Sequence, residues 1–158
     1  MTVQVIDKGW DAIGNELKKL SGGKAASVGI QGSKASESHG KYTNVEIGAV
    51  HEYGTKDGRI PERSFIRSTY AENEATIVKE AAKIASTRVF EGKSPIADIT
   101  MMGEDFRKKI LEKIQSGIAP PLAESTIEHK KGEGTPLIDT GQLWNAISSE
   151  VVDPGKLR

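Results

Sequence analysis

The stretch TNVEIGAVHEYGTKDGRIPERSFIRSTY, residues 43–70, predicts a short helix, a tight loop and the start of a longer helix. Thr43 and Glu46 have the spacing of a capping box, in which each side chain binds a free backbone N–H at a helix start. Tyr42 and Ile47 flank this pair at the positions of a hydrophobic staple. Gly54 suits the left-handed turn that ends many helices. We therefore expect a first helix over residues 44–53.

The apolar residues of this region recur at helical spacing. Val45, Ala49 and Tyr53 lie four residues apart, on one face of the first helix. Pro61 favours the first turn of a second helix. Apolar residues then recur at helical spacing to about residue 90, namely Ile66, Tyr70, Ile77, Ala81 and Ile84. This second helix is predicted to be the longest.

A further long helix is predicted after the break at residues 91–95. Asp98 is a candidate N-cap for it. Its apolar positions recur at spacings of four, at Met102, Phe106, Ile110 and Ile114. We expect the apolar faces of the two long helices to pack together.

The N-terminal part of the chain predicts a strand at residues 3–6, an amphipathic helix over residues 10–20 and a second strand at residues 26–30. The two strands are expected to pair. Residues 32–41 show no periodicity and are rich in Ser, Gly and Lys, which is typical of a mobile loop. Residues 130–135 are predicted to form another flexible segment.

The tripeptide Asp139-Thr140-Gly141 matches the loop that carries the catalytic aspartate of aspartic proteases. Those enzymes need two aspartates that share one proton, and this chain has one such triplet. The favoured interpretation is a helix start, with Asp139 as N-cap and Gln142 at the third helical position. A homodimeric aspartic protease that uses Asp139 remains the enzymatic alternative. Residues 147–152 then predict a closing strand.

Composition limits the classes of function that the chain can have. Its 158 residues fit a single domain spanning 1–158, and 22 basic and 22 acidic residues give no net charge to attract nucleic acid or an anionic membrane. The chain has no cysteine, so thiol catalysis and disulfides are excluded. No apolar run approaches the length of a membrane span. Short strands near the chain ends and long helices between them predict a segregated α+β fold.

Few residues of the sequence suggest a catalytic, metal-binding or cofactor-binding site. His39, His51 and His129 lack the spacing of a metal-binding helix, and no glycine segment has phosphate-loop spacing, so neither a metal, a cofactor nor a catalytic group is predicted. A cluster of basic residues does suggest a function, because arginine is enriched at protein contacts. We hypothesise a protein interface formed by Lys56, Arg59, Arg63 and Arg67, with Arg63 and Arg67 on one helical face. A solvated charged face is the alternative.

Two separated stretches resemble a known family. They are VEIGAVHEYGTKDGRIPERSFIR (residues 45–67) and PPLAESTIEHKKGEGTPLIDTGQLWNAIS (residues 120–148). They are similar to the virion morphogenesis proteins of long-tailed bacteriophages, the tail-completion or neck group related to minor tail protein Z and to the Mu-type G protein. The matching positions are His51, Glu52, Tyr53, Gly54, Ile60, Pro61, Arg63, Phe65 and Arg67 in the first stretch, and Pro121, Leu122, Ser125, Thr126, Lys130, Leu137, Thr140, Gly141 and Leu143 in the second.

The resemblance implies an α+β fold, with a small, mostly antiparallel sheet packed against two long helices. It also implies a structural, non-enzymatic protein of a phage or prophage that completes the tail and helps join it to the head. Its implied partners are other tail and head–tail connector proteins, together with copies of itself in a ring in the virion; the isolated protein could still be a monomer. It implies assembly in the cytoplasm of the bacterial host and a final place in the virion. The first 40 residues do not contribute to the match, and Pro120 stands where many relatives have tryptophan. A connector component that contacts DNA is a second alternative, although specific nucleic-acid binding is not expected.

Overall fold

The computed structural model describes residues 24–122, 137 and 141–153. Four short strands and four helices are defined within these residues. The strands are β1 (Ala25–Ile30), β2 (Ser38–His39), β3 (Tyr42–Thr43) and β4 (Ile147–Val152). The helices are α1 (Asn44–Tyr53), α2 (Arg67–Glu91), α3 (Ile96–Gln115) and α4 (Gln142–Ala146). The predicted α+β class with two long helices is confirmed.

The main sheet joins the beginning of the described chain to its end. β1 and β4 are antiparallel, with Ala25 opposite Val152 and Ile30 opposite Ile147. Both strands were predicted, but β1 pairs with β4, and the expected partner at residues 3–6 lies outside the described residues. α3 packs across this sheet. It approaches so closely at Gly103 that an added Cβ would lie 3.0 Å from the Cβ of Ala26.

The buried core lies where α3, α4 and the segment before α2 meet. Phe65, at 0% exposure, belongs to this core although it precedes the long helix. The cluster consists of Phe65, Ile110, Ile114, Leu137, Leu143 and Ile147. The core therefore joins parts of the chain that are more than 70 residues apart, as Phe65 and Leu143 show.

Helix α1 begins as predicted but buries a different face. The capping box is present, since Thr43 Oγ1 accepts a bond from Glu46 N at 3.3 Å and Thr43 N donates to Glu46 Oε2 at 2.8 Å. The predicted apolar face lies at the surface, where Val45 and Tyr53 are 44% and 64% exposed. The adjacent face, which carries Asn44, Gly48 and Glu52, is buried instead. This face packs inward because Gly48 has no side chain, which leaves room for the side chain of Ile30.

Helix α2 begins at Arg67 and not at Pro61, and residues 61–64 have no regular structure. The predicted contact between the two long helices is present, for example between the edge-to-face rings of Tyr70 and Phe106, whose centroids are 6.3 Å apart. The α2 face is nevertheless only partly covered. No side chain of residues 70–88 is fully buried.

Helix α3 begins at Ile96, so Asp98 is not its N-cap. Asp98 instead accepts two bonds from Arg88 of α2, at 2.6 and 2.8 Å. The carboxylate is drawn away from capping because the guanidinium of Arg88 offers a bidentate partner. The pair fixes the turn between α2 and α3.

Two other sequence predictions can be compared with the structure. Residues 32–41, expected to lack regular structure, contain a 3₁₀ turn at Ser33–Ser36 and a small β2–β3 hairpin. Helix α4 begins at Gln142, which therefore occupies the first helical position and not the predicted third one. Asp139 and His129 lie outside the described residues, as do the predicted helix at residues 10–20 and the predicted flexible segment at residues 130–135.

Candidate protein-interface site

The carboxylate of Glu52 organises the start of helix α2. Glu52 lies in the last turn of α1 and is 5% exposed. Its oxygens accept bonds from the backbone N–H groups of Phe65 at 2.8 Å, Ile66 at 3.0 Å and Arg67 at 2.9 Å. The hydroxyl of Ser64 donates a further bond at 2.7 Å. The free N–H groups of a helix start attract negative charge, so Glu52 caps α2 from a neighbouring element.

This environment also determines the charge of Glu52. Burial by itself raises the pKa of the Glu52 carboxyl, since a buried carboxylate loses hydration. The backbone N–H groups of Ile66 and Arg67, the Ser64 hydroxyl and the N–H of Phe65 outweigh that effect, so the pKa is lowered overall. Glu52 is therefore an anion at neutral pH. Its role is to hold the segment before α2 against α1.

Arg67 completes this cluster and connects it to the surface. Its Nε donates to Glu52 Oε1 at 3.1 Å, and its Nη2 donates to Glu62 Oε1 at 2.7 Å. The guanidinium carbon lies 4.4 Å from the centre of the Tyr53 ring, which is a cation–π contact. The Arg67 side chain remains half exposed. The cluster therefore presents a fixed arginine and an aromatic ring side by side.

Arg63 does not belong to the exposed basic surface. It is 4% exposed, and its guanidinium donates from Nε to the carbonyl oxygen of Pro120 at 2.7 Å and from Nη2 to that of Pro121 at 3.0 Å. Arg63 lies before α2, so the predicted helical face shared with Arg67 is wrong. A guanidinium offers several donors in a rigid fork, which fits it to two neighbouring carbonyls. In the folded chain Arg63 is a buried support that joins the segment before α2 to Pro120 and Pro121.

Lys56 and Arg59 are exposed on the loop between α1 and the segment before α2. The loop is held by its own bonds: Thr55 N donates to Ile60 O at 2.9 Å, and Gly58 N donates to Thr55 O at 2.9 Å. Arg59 Nε lies 3.1 Å from Asp57 Oδ2. Of the four predicted interface residues, Lys56, Arg59 and Arg67 therefore reach the surface. Their role at an interface remains a prediction.

The exposed face of α1 adds an apolar surface beside these cations. We define the α1 outer face as Tyr42, Val45, Ala49 and Tyr53, all of which are exposed. The spacing of Val45, Ala49 and Tyr53 predicted their common face but not its exposure. No local signal marks this surface, because the polar residues Asn44 and Glu52 lie on the buried face of α1 and the apolar residues lie on the exposed one. Tyrosine and arginine are enriched in protein interfaces, so the α1 outer face with Arg67 is a chemically suitable contact.

Two hollows lie along the hairpin of α2 and α3. An open groove of about 990 Å³ runs between the helices and includes Ile84, Thr87, Met101 and Met102; we call it the α2–α3 groove. A smaller, mainly apolar cleft of about 340 Å³ lies between the same helices and β1. Its two cations, Lys24 and Arg88, are already paired with Asp153 and Asp98. The cleft therefore offers apolar contact more than a charged ligand site.

Within residues 24–122, 137 and 141–153, no group of three or more His, Cys, Asp or Glu side chains is placed to hold a metal ion. None of the described helices is long and apolar enough to cross a membrane. The described part of the chain thus offers a positioned surface, built from Glu52, Arg67 and the α1 outer face, as its candidate site. Comparison with protein-family models, curated proteins and solved structures found no match, so function must be inferred from these contacts and from the sequence resemblance.

Proposed function

We propose that this chain is a structural protein of a phage or prophage that completes the tail and helps join it to the head by protein–protein assembly. One observation carries the proposal: residues of the two stretches that resemble the family lie together in one structural unit. Arg63 of the first stretch binds the carbonyls of Pro120 and Pro121 in the second. Phe65 of the first and Leu137 and Leu143 of the second share the same buried core.

The chemistry of the matched residues supports a binding role. Glu52, the acidic residue of the His-Glu-Tyr-Gly motif, uses its carboxylate oxygens to cap α2. Gly54 has a φ of 71°, and an added Cβ would lie 2.8 Å from the backbone N of Glu62. Both residues shape the loop that carries Lys56 and Arg59. The motif therefore holds this exposed loop in a fixed conformation. A protein that acts by assembly needs such a positioned surface.

The experiment is deletion of the gene from the phage or prophage that encodes it, followed by electron microscopy of the particles. We expect filled heads and finished tails that remain separate, because a joining protein is needed only when the two meet. Supplying the wild-type chain from a plasmid should restore joined particles. A normal yield of joined, infectious particles from the deletion strain would refute the proposal.

A further inference from the structure

We propose that residues 10–20 form the amphipathic helix that the sequence predicts, and that its apolar face fills the small cleft between α2, α3 and β1 of the same chain. This segment lies outside the described residues, whereas the cleft lies within them. The inference does not depend on the proposed assembly function, since it concerns the packing of a single copy.

The cleft is an apolar hollow that the described residues leave unfilled. It has a volume of about 340 Å³. Ile99, which is 8% exposed, is one of its lining residues. Four further lining residues have only a methyl side chain, namely Ala25, Ala26, Ala81 and Ala85. Protein interiors are close-packed, with few voids larger than a water molecule. A hollow of this size is therefore a place where apolar side chains from another segment pack.

The described part of the chain begins beside this cleft. Lys24, the first described residue, is one of the residues that line it. Leu20 lies four residues before Lys24, and an extended chain covers at most about 14 Å over that distance. Gly22 and Gly23, between the two, permit a sharp change of chain direction. The segment is therefore tethered within reach of the cleft, where its effective concentration is high.

The sequence of the segment suits an apolar cleft. Spacings of three and four residues place four apolar side chains on one face of the predicted helix, those of Trp10, Ile13, Leu17 and Leu20. From Ile13 to Leu20 this face extends about 10 Å, at a rise of about 1.5 Å per residue. The α2 side of the cleft, from Ala81 to Arg88, covers the same number of residues and hence also about 10 Å. The apolar face and the cleft are matched in length.

Charge is compatible with this occupant. The two cations that line the cleft are already paired, Lys24 with Asp153 and Arg88 with Asp98. The cleft therefore needs no counter-ion from its occupant. The charged residues of the segment fall outside the apolar face of the predicted helix, at Asp11, Glu16, Lys18 and Lys19. Docking through the apolar face leaves no charge buried without a partner.

The test uses the absence of cysteine from the chain, which makes two introduced thiols the only ones. Ala85→Cys places one thiol in the cleft. Ile13→Cys, Leu17→Cys or Leu20→Cys places the second on the apolar face, and Asn15→Cys, on the opposite face of the predicted helix, is the matched control. Each double variant is equilibrated at low protein concentration with oxidised and reduced glutathione, and mass spectrometry of its peptides measures the disulfide.

We expect at least one of the three apolar-face thiols to form a disulfide within the chain roughly tenfold more often than Asn15→Cys, because bonded cysteines need Cβ atoms only about 4 Å apart.

Thermal unfolding gives a second measure that needs no disulfide. Leu17→Ser should lower the melting temperature by several degrees, because it removes an apolar side chain from a packed contact. Lys18→Ser changes the next residue, which lies outside the apolar face, and should leave the melting temperature almost unchanged.

Three results would overturn the inference. Disulfide yields no higher at Ile13, Leu17 and Leu20 than at Asn15 would show that the segment does not occupy the cleft. A melting temperature of Leu17→Ser equal to that of Lys18→Ser would show that the apolar face packs against nothing. In an equal mixture of the single variants Ala85→Cys and Leu17→Cys, a disulfide yield between chains as high as that within the double variant would show that the segment fills the cleft of a second copy instead.

Discussion

At the scale of single residues, Gly54 has a backbone conformation that is almost confined to glycine. Its φ of 71° and ψ of 177° lie in a region that side chains disfavour. The loop also returns close to it, since an added Cβ would lie 2.8 Å from Glu62 N and 3.0 Å from Ile60 O. The tight return explains why a glycine follows the His-Glu-Tyr sequence here. It allows the carboxylate of Glu52 to reach the start of α2.

We predict that Gly54→Ala lowers the free energy of unfolding by about 3 kcal/mol, because strain and backbone collision add together. Gly58→Ala is the matched control. Gly58 also has a positive φ, of 72°, but nothing lies within 4 Å of an added Cβ, so that change should cost only about 1 kcal/mol. Urea denaturation measures both. Equal losses of unfolding free energy in the two variants would contradict the close approach of the backbone to Gly54.

The Glu52 carboxylate is expected to make part of the protein's stability depend on acid pH. Its pKa is lowered in the folded state, so the carboxylate stabilises the protein above its unfolded-state pKa of about 4.3 and loses that contribution as the pH falls through the folded value. Glu52→Gln should lower stability at neutral pH by about 3 kcal/mol, since an amide cannot accept all of these bonds. It should also make stability less dependent on acid pH.

The measurement is urea unfolding between neutral pH and pH 3, with Glu62→Gln as control. Glu62 also binds Arg67 but is exposed, so its loss should affect stability far less. An unchanged slope of stability against pH in Glu52→Gln would show that another carboxylate carries the acid dependence.

At the scale of elements, the two long helices differ in how they are supported. α3 lies across the sheet and places Ile99, Gly103, Ile110 and Ile114 in buried positions. α2 has no fully buried side chain over residues 70–88, and the Arg88–Asp98 pair ties its distal end to α3. Local opening is easiest where few apolar contacts are lost.

We therefore predict that backbone amides of α2 in residues 74–88 exchange hydrogen at least tenfold faster than those of α3 in residues 102–114. Native-state hydrogen exchange of dilute protein, followed by NMR, measures both helices in one sample. Amides in α2 that exchange as slowly as those in α3 would show that both helices open only with the whole protein. In that case partial coverage does not weaken α2.

Element prediction succeeded where the signal is local. The capping box of Thr43 and Glu46, the break at residues 91–95 and the strands at residues 26–30 and 147–152 depend on residues that are close in sequence. Element prediction failed where a group that is distant in the sequence determines the helix boundary. The start of α2 is set by the carboxylate of Glu52, and Asp98 is drawn to Arg88 on another helix, so neither boundary can be read from nearby residues.

At the scale of the whole molecule, separate ends of the described fold carry different surfaces. The α1 outer face and Arg67 lie at the start of α2, and the α2–α3 groove lies along its distal half. A rigid helix of 25 residues keeps them apart. The α1 outer face and the α2–α3 groove are therefore held at fixed positions on the described fold.

The sequence by itself determined the α+β class, the two long helices, both strands of the main sheet and the first helix cap, because these follow from periodicity and from pairs of residues within one or two turns. Only the tertiary structure decided which strands pair, which face of α1 is buried, and that Arg63 is an internal support while Lys56, Arg59 and Arg67 reach the surface. Burial and pairing depend on groups far apart in the chain. The carbonyls of Pro120 and Pro121 that hold Arg63 are more than 50 residues away from it.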